Sequence, residues 1–538
     1  MRSLLLASIA ILSISCAGGN DPRYGEPVFG KVKDAYPVVS ISQGQVKGEN
    51  RDGVALFRGI PYGSNASGEN RFKKASPAAS WEGVRDCTAN GPIAVQNGMS
   101  ISGAPGLGDY FSGGHPELFG VTEEKQGENC LVLNVLTPGI DKAGRPVLVY
   151  IHGGGFDTGS GTLVLGADKL AREEDLVIVG VNHRLNLFGF LYLGHLDKEY
   201  ASSGMVGMTD LVLALEWVRD NIASFGGDPG NVTIMGESGG AMKVSTLMAM
   251  DSAKGLFHKA IAESGSAPAC SFSTADAQIQ TDRFLSNLGL DRNNWKDILA
   301  MPSQTLILAS SGIAFSPVAD NINLRYDGSK DILAYEVSKN IPLLVGSSAD
   351  EMGVFLPIAS MGITEDNLPD KVRQQLNISE ENARQIVGSF KKADTKADAP
   401  WHTFLKIVSL SGTLGGGAFN QAMAKSAQNG APVFFYFVEY DAFAPFGKDF
   451  RCAWHTADLP LQMRIVLDPE AEHLSKLMAH ALAAFARTGN PSTKELEWPA
   501  FNPKERLVMD FDEQTRVLKD PTAPFRKALG ETVDYTRD

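Results

Sequence analysis

The residues best suited to chemistry are a serine between glycines, a histidine heading a glycine run, and a late carboxylate and histidine. Ser238 stands at the centre of Gly236-Glu237-Ser238-Gly239-Gly240. A serine hydroxyl is a weak nucleophile until a base takes its proton, and it then attacks acyl carbonyls. That chemistry needs a base, a carboxylate to orient the base, and backbone amides for the oxyanion that forms. The run His152-Gly153-Gly154-Gly155-Phe156 offers such amides, with Gly154 and Gly155 as donors and Gly239 supplying another. Glycines suit the task because the backbone itself must approach the substrate oxygen.

The base and its acid are expected downstream, in the order serine, acid, histidine. His455, in Cys452-Ala453-Trp454-His455-Thr456-Ala457-Asp458-Leu459-Pro460, follows a strand-like run and suits the base. Glu351, in Gly346-Ser347-Ser348-Ala349-Asp350-Glu351-Met352-Gly353, suits the acid. On the residues alone, Asp350 and Asp320 satisfy the same order. This chemistry calls for no metal and no organic cofactor.

These residues must be held by strand ends and helix starts. Asn231-Val232-Thr233-Ile234-Met235 reads as a strand and Ala241–Met248 as a helix, so Ser238 falls on a sharp turn between them. Residues 147–151 read as a strand that delivers His152. The apolar runs 131–136, 176–181, 341–346 and 432–438 suit strands buried on both faces. Shorter strands are expected at 38–41 and 56–60. Thr209 is expected to cap a helix whose stripe is Leu211, Leu215, Val218 and Ile222, ended by Gly226-Gly227-Asp228-Pro229-Gly230. Another helix is expected near 470–487, and the glycine-rich stretch 98–120 reads as a long loop. Alternating strands and helices predict an α/β fold with a large, mostly parallel central sheet flanked by helices.

Composition agrees. The 538 residues are 43% hydrophobic and 21% charged, enough for a large core. The net charge of −13, with no basic block, argues against a nucleic-acid partner. Arg2 and the apolar run Leu4–Leu12 form an export signal too short to span a bilayer. Ser13-Ile14-Ser15-Cys16 resembles a bacterial lipobox, with Ser13 where leucine is usual. Residues 1–15 are thus expected to be a signal peptide of lipoprotein type, lipidated at Cys16 and anchored to a bacterial membrane or held in the periplasm. A plain secretory signal is the alternative. Residues 16–36 would be a tether and 37–538 a single domain. The other cysteines, Cys87, Cys130, Cys270 and Cys452, are even in number and able to pair after export.

The chain resembles the type-B carboxylesterases, the cholinesterase-like group of the α/β-hydrolase fold, and within it the bacterial members. The resemblance covers about residues 37–525. It rests on Phe57-Arg58-Gly59-Ile60-Pro61-Tyr62, Glu128-Asn129-Cys130-Leu131-Val132-Leu133-Asn134 and the His-Gly-Gly-Gly-Phe run. Phe225-Gly226-Gly227-Asp228-Pro229-Gly230-Asn231-Val232-Thr233, the Asp350-Glu351 pair, His455-x-x-Asp458-Leu459-Pro460 and Arg487-Thr488-Gly489-Asn490-Pro491 complete it. The resemblance implies a serine carboxylesterase with Ser238, Glu351 and His455 as triad and a small-molecule ester as substrate. A lipase or a deacylase for one natural-product ester is the alternative, and a non-catalytic binding protein on this fold a more distant one. It further implies that Ser264 supports Glu351, that Glu237 modulates the nucleophile, and that Phe156 and Phe272 bound the acyl pocket.

The departures from the family pattern carry their own expectations. Gly239 replaces an alanine, which costs nothing if only the backbone amide acts. The family's bridge over the substrate loop would join positions 94 and 130, but residue 94 is alanine. The expected pairs are Cys87 with Cys130, tethering the loop 88–129, and Cys270 with Cys452, which the resemblance implies by placing the segment after Ser264-Gly265 at the acyl pocket; four unpaired buried cysteines are the alternative. No tryptophan lies between Trp81 and Trp217, so the ring that holds choline's cation in cholinesterases is missing from this loop. Neutral esters of short-to-medium acyl chains are the expected substrates, rather than choline esters or long-chain triglycerides.

Overall fold

The computed structural model describes residues 32–97, 125–265, 272–325, 336–394, 399–412, 414–443, 451–466 and 468–530. The export signal, Cys16, most of the tether, the glycine-rich loop from 98 and Cys270 lie outside these residues.

An eleven-stranded mixed sheet organises the chain. Its parallel run passes from Val177–Val181 through Arg145–Ile151, Gly227–Glu237, Lys259–Glu263, Leu343–Ser348 and Val433–Val438 to Leu507–Phe511. Antiparallel strands close both ends: Val132–Thr137, Val54–Pro61 and Glu49–Arg51 on one side, Arg516–Lys519 on the other. The expected strand at 38–41 forms, but in a separate three-stranded sheet with Gly44–Lys47 and Val84–Asp86.

Each central strand serves two cores. Side chains alternate across a strand, so Val147, Val149 and Ile151 enter one apolar cluster while Leu148 and Tyr150 enter the other. This is why these runs are apolar without interruption. The helix Val206–Asn221 packs Leu211, Leu215 and Val218 into the first cluster. The helix Glu472–Thr488 packs Met478, Leu482 and Phe485 into the second and stops at Gly489, whose φ is +78°.

Thr209 does not cap its helix. The helix begins three residues earlier, and the buried Thr209 hydroxyl donates back to the Val206 carbonyl at 3.1 Å. A threonine inside a helix can satisfy its hydroxyl in this way, so its residue type alone does not mark a start.

The expected Cys87–Cys130 bridge is absent, and Cys87, Cys130 and Cys452 are buried free thiols. The Cys87 carbonyl accepts from Arg58 N–H, whereas Leu131, next to Cys130, accepts from Tyr62 N–H. Arg58 and Tyr62 are four positions apart in sequence, so the two cysteine segments meet this stretch of chain at different points. Ala94 is among the residues that line one small cavity with Cys130.

Candidate active site

Ser238 sits between the strand Gly227–Glu237 and the helix Gly239–Leu247, with φ +56° and ψ −125°. A non-glycine residue rarely adopts this conformation, and such strain gathers at functional turns. The Ser238 N–H donates to the Glu263 carbonyl at 2.8 Å, tying the turn to the neighbouring strand. A Cβ on Gly240 would fall 2.1 Å from the Ile151 carbonyl oxygen, so the helix can approach the sheet only with glycine there.

The carbonyl ends of two further parallel strands supply the other partners. Glu351 follows Leu343–Ser348, and His455 lies in the loop past Val433–Val438. His455 Nδ1 is 2.5 Å from Glu351 Oε2. The other carboxylate oxygen of Glu351 accepts from Ser264 Oγ at 2.6 Å and from Ser348 N–H at 2.8 Å. Glu351 and Ser264 are fully buried. Asp350, the neighbour that the residues alone left open, turns away: its Oδ2 accepts from Ala453 N–H at 3.2 Å. Asp320 is spent on a turn, accepting from Ile322 and Asn323 N–H.

His455 Nε2 faces Glu237 Oε1 at 3.2 Å. Ser238 Oγ forms no hydrogen bond among the described residues, although Ser238 and His455 line one cavity. Contacts of this kind are often loose before substrate arrives and tighten with it. Burial opposes charge on the imidazole, but the Glu237 and Glu351 carboxylates override it and push His455 up to about 9. Burial pushes Glu237 up to about 8, against the pull of His455.

The shared cavity measures about 580 Å³, a size that suits a small organic ligand. The loop Gly153–Gly155 forms one wall. That loop is held firmly: Gly154 O accepts from Thr158 N–H at 3.1 Å, and Gly159 N–H donates to Gln96 Oε1 at 2.8 Å. Gly154 and Gly155 have φ of +79° and +61°, values that favour glycine. Gly239 opens its helix, where the first amides have no partner within the helix.

Two expected wall residues are elsewhere. Phe156 is buried beneath the loop against Phe190, ring centroids 5.2 Å apart, and does not line the cavity. Phe272 pairs with Val318 in a short two-stranded sheet and does not line it either. Ile307, Ile313, Phe315, Val354 and Phe355 form the apolar wall instead. The Phe355 ring lies 5.1 Å from the His455 ring. No motif marks these positions: Ile307 is in the short helix Ser303–Ala309, Ile313 and Phe315 in the irregular chain after it, and Val354 and Phe355 in and just after the 3-10 turn Glu351–Val354.

Gly239 also has a role that its amide alone does not explain. A Cβ there would lie 2.2 Å from Gly155 O and 2.5 Å from Gly155 N. An alanine would collide with the glycine loop, so the substitution of glycine for the family's alanine is not neutral in this chain.

A larger surface cavity, about 1190 Å³, is lined by Trp401, His402, Tyr440, Asp441 and Arg451 among others, and touches none of the triad candidates. The chemistry therefore points to the smaller one.

A sequence model of the carboxylesterase family matches residues 35–527. The para-nitrobenzyl esterase of Bacillus subtilis is 30% identical over 92% of this chain and 98% of its own length. The phenmedipham hydrolase of Pseudarthrobacter oxydans is 31% identical over 91% and 98%. Among solved structures, a carboxylesterase of Geobacillus stearothermophilus superposes with a TM-score of 0.76 at 31% identity, covering 91% of this chain and 99% of that one.

Proposed function

The chain belongs to the carboxylesterase family and is a carboxylic ester hydrolase, and from that premise we propose that it works through Ser238, His455 and Glu351. In this reading His455 takes the Ser238 proton as the oxygen attacks the ester carbonyl. The carbonyl π electrons move onto oxygen, where the amides of Gly154, Gly155 and Gly239 receive the charge. Collapse expels the alcohol, which takes the proton from His455, and leaves an acyl-enzyme. Water, deprotonated by His455, then releases the acid and restores Ser238. Glu351 fixes the imidazole tautomer and stabilises its cation.

The single observation that carries this reading is the 2.5 Å contact of His455 Nδ1 with Glu351 Oε2, at a cavity that Ser238 shares. Ser238→Ala tests it. The variant should fold normally and lose ester hydrolysis, and an organophosphonate should label Ser238 in the wild type only. More than about a tenth of the wild-type kcat in the variant would reject the nucleophile.

The apolar wall and the modest volume favour neutral esters of short-to-medium acyl length. The leader supports export followed by lipidation of Cys16. A Cys16→Ser variant should leave the membrane fraction in which the wild type sediments. Equal partition of the two would reject the anchor.

A further inference from the structure

Lys243 lies in the helix that follows Ser238 and is fully buried. Burying an amine, charged or not, is costly unless its N–H groups are well received. Here Nζ donates to the His152 carbonyl at 3.0 Å and to the Gly155 carbonyl at 2.8 Å. It also stands 5.5 Å from the centre of the Phe156 ring. Among the described residues it forms no ion pair within 4 Å. Burial lowers its affinity for a proton, to a pKa of about 7, and the nearby Asp157 carboxylate opposes this. The imidazoles of His152 and His183, also close by, are held neutral by burial.

The two carbonyls are the first and last of the segment His152-Gly153-Gly154-Gly155. That segment carries no side chain of its own after His152, so little else binds it to the nucleophile's helix. Gly155 reaches Lys243 by riding directly over Gly239, an approach that any Cβ at 239 would block.

We propose that Lys243 is a positioning residue for the oxyanion loop: its buried Nζ pins the His152 and Gly155 carbonyls to the helix behind Ser238. The inference rests on the reading of Gly154, Gly155 and Gly239 as that oxyanion site. A loop pinned to the nucleophile's helix cannot drift from it as the carbonyl carbon becomes tetrahedral. The amides are thus held where charge develops on the carbonyl oxygen, so the benefit belongs to the transition state.

The test compares Lys243→Met, Lys243→Gln and Gly239→Ala with the wild type and with Ser238→Ala. Removing a direct oxyanion donor typically lowers kcat 10²–10³-fold. For Lys243→Met, which acts through the loop, the expected loss is about 10- to 100-fold, with KM within about twofold. Affinity for an aryl trifluoromethyl ketone, whose carbonyl adds a serine oxygen to give an anionic hemiketal, should fall in parallel. Affinity for the product carboxylic acid should not fall. Lys243→Gln keeps an N–H donor on a shorter arm and should recover part of the loss. Gly239→Ala keeps Lys243 but lifts Gly155 away and should mimic Lys243→Met.

A folded Lys243→Met enzyme with kcat within twofold of wild type would overturn the proposal. So would equal losses of ketone and product binding, which mark a merely structural residue. If Lys243→Met does not fold, a fully active Gly239→Ala has the same force. If Ser238→Ala itself retains activity, the fault lies with the nucleophile assignment rather than with Lys243.

Discussion

Glu237 Oε1 and Glu351 Oε2 lie on opposite nitrogens of one imidazole, 3.2 Å from Nε2 and 2.5 Å from Nδ1 of His455. The ring is thus held between two carboxylates, one adjoining the nucleophile in sequence and one remote. Burial pushes Glu237 up and would push His455 down, yet the paired charges raise the histidine to about 9.

A pH profile follows. His455 is a base only when neutral, and a raised pKa delays neutrality to higher pH. The rise of kcat/KM should therefore lie above the ordinary histidine value of about 6.5. Glu237→Gln removes one of the charges that hold the proton on, so the rise should move toward lower pH. Rate profiles of both enzymes between pH 5 and 10 decide this. An unmoved midpoint in the variant would show that Glu237 does not set the proton affinity of His455.

The two adjacent acids, Asp350 and Glu351, should behave differently. Glu351→Gln destroys the contact that fixes the imidazole tautomer and should reduce kcat by roughly 10³–10⁴. Asp350→Asn keeps an acceptor for Ala453 N–H and should change kcat by less than about tenfold, with any cost seen in Tm. Steady-state rates and melting curves on both variants separate the roles. A larger kcat loss in Asp350→Asn than in Glu351→Gln would reverse the assignment.

The sequence was most legible where chemistry demands particular residue types. Ser238, the glycine run after His152, and the candidates Glu351 and His455 all sit at strand ends or in the loops past them, and the apolar runs that place them are unbroken. Elsewhere the informative relationships are between distant segments. Phe315 and Phe355 reach the cavity from irregular chain, while Phe156, beside the glycine run in sequence, is turned beneath it. Lys243 left a faint signal, a lone charge within Gly239–Leu247, a helix otherwise free of charge. Its meaning depends on two carbonyls about ninety residues away. The Cys87–Cys130 pairing failed because an even number of cysteines says nothing of where each one packs.

The thiols give a direct check on that correction. Cys87, Cys130 and Cys452 are buried, and burial raises all three thiols, Cys87 to about 11 and Cys130 to about 12. A thiol reagent at neutral pH should react slowly with them in the native enzyme, since the thiolate is the reactive form. After denaturation without reductant, at least three thiols should titrate. Fewer than three would mean that one of these cysteines is bridged.

The cavity wall sets the last prediction. Ile307, Ile313, Phe315, Val354 and Phe355 present an apolar surface to whatever Ser238 acylates. Each buried methylene contributes about 0.8 kcal/mol, so binding should improve with acyl length until the chain outgrows about 580 Å³. For p-nitrophenyl esters, kcat/KM should rise from acetate to butyrate and fall by palmitate, and butyrylcholine should be a poor substrate. Phe315 packs edge-on against Phe284, centroids 6.5 Å apart, away from the His455 ring that Phe355 touches. Phe315→Ala should therefore enlarge the cavity without disturbing the base. Its optimum should move to longer acyl chains while kcat for acetate stays within a few-fold. An unchanged chain-length profile would place the acyl group against another wall. A wild-type preference for palmitate would mark a lipase, and rapid turnover of butyrylcholine would reveal a cation site that these side chains do not suggest.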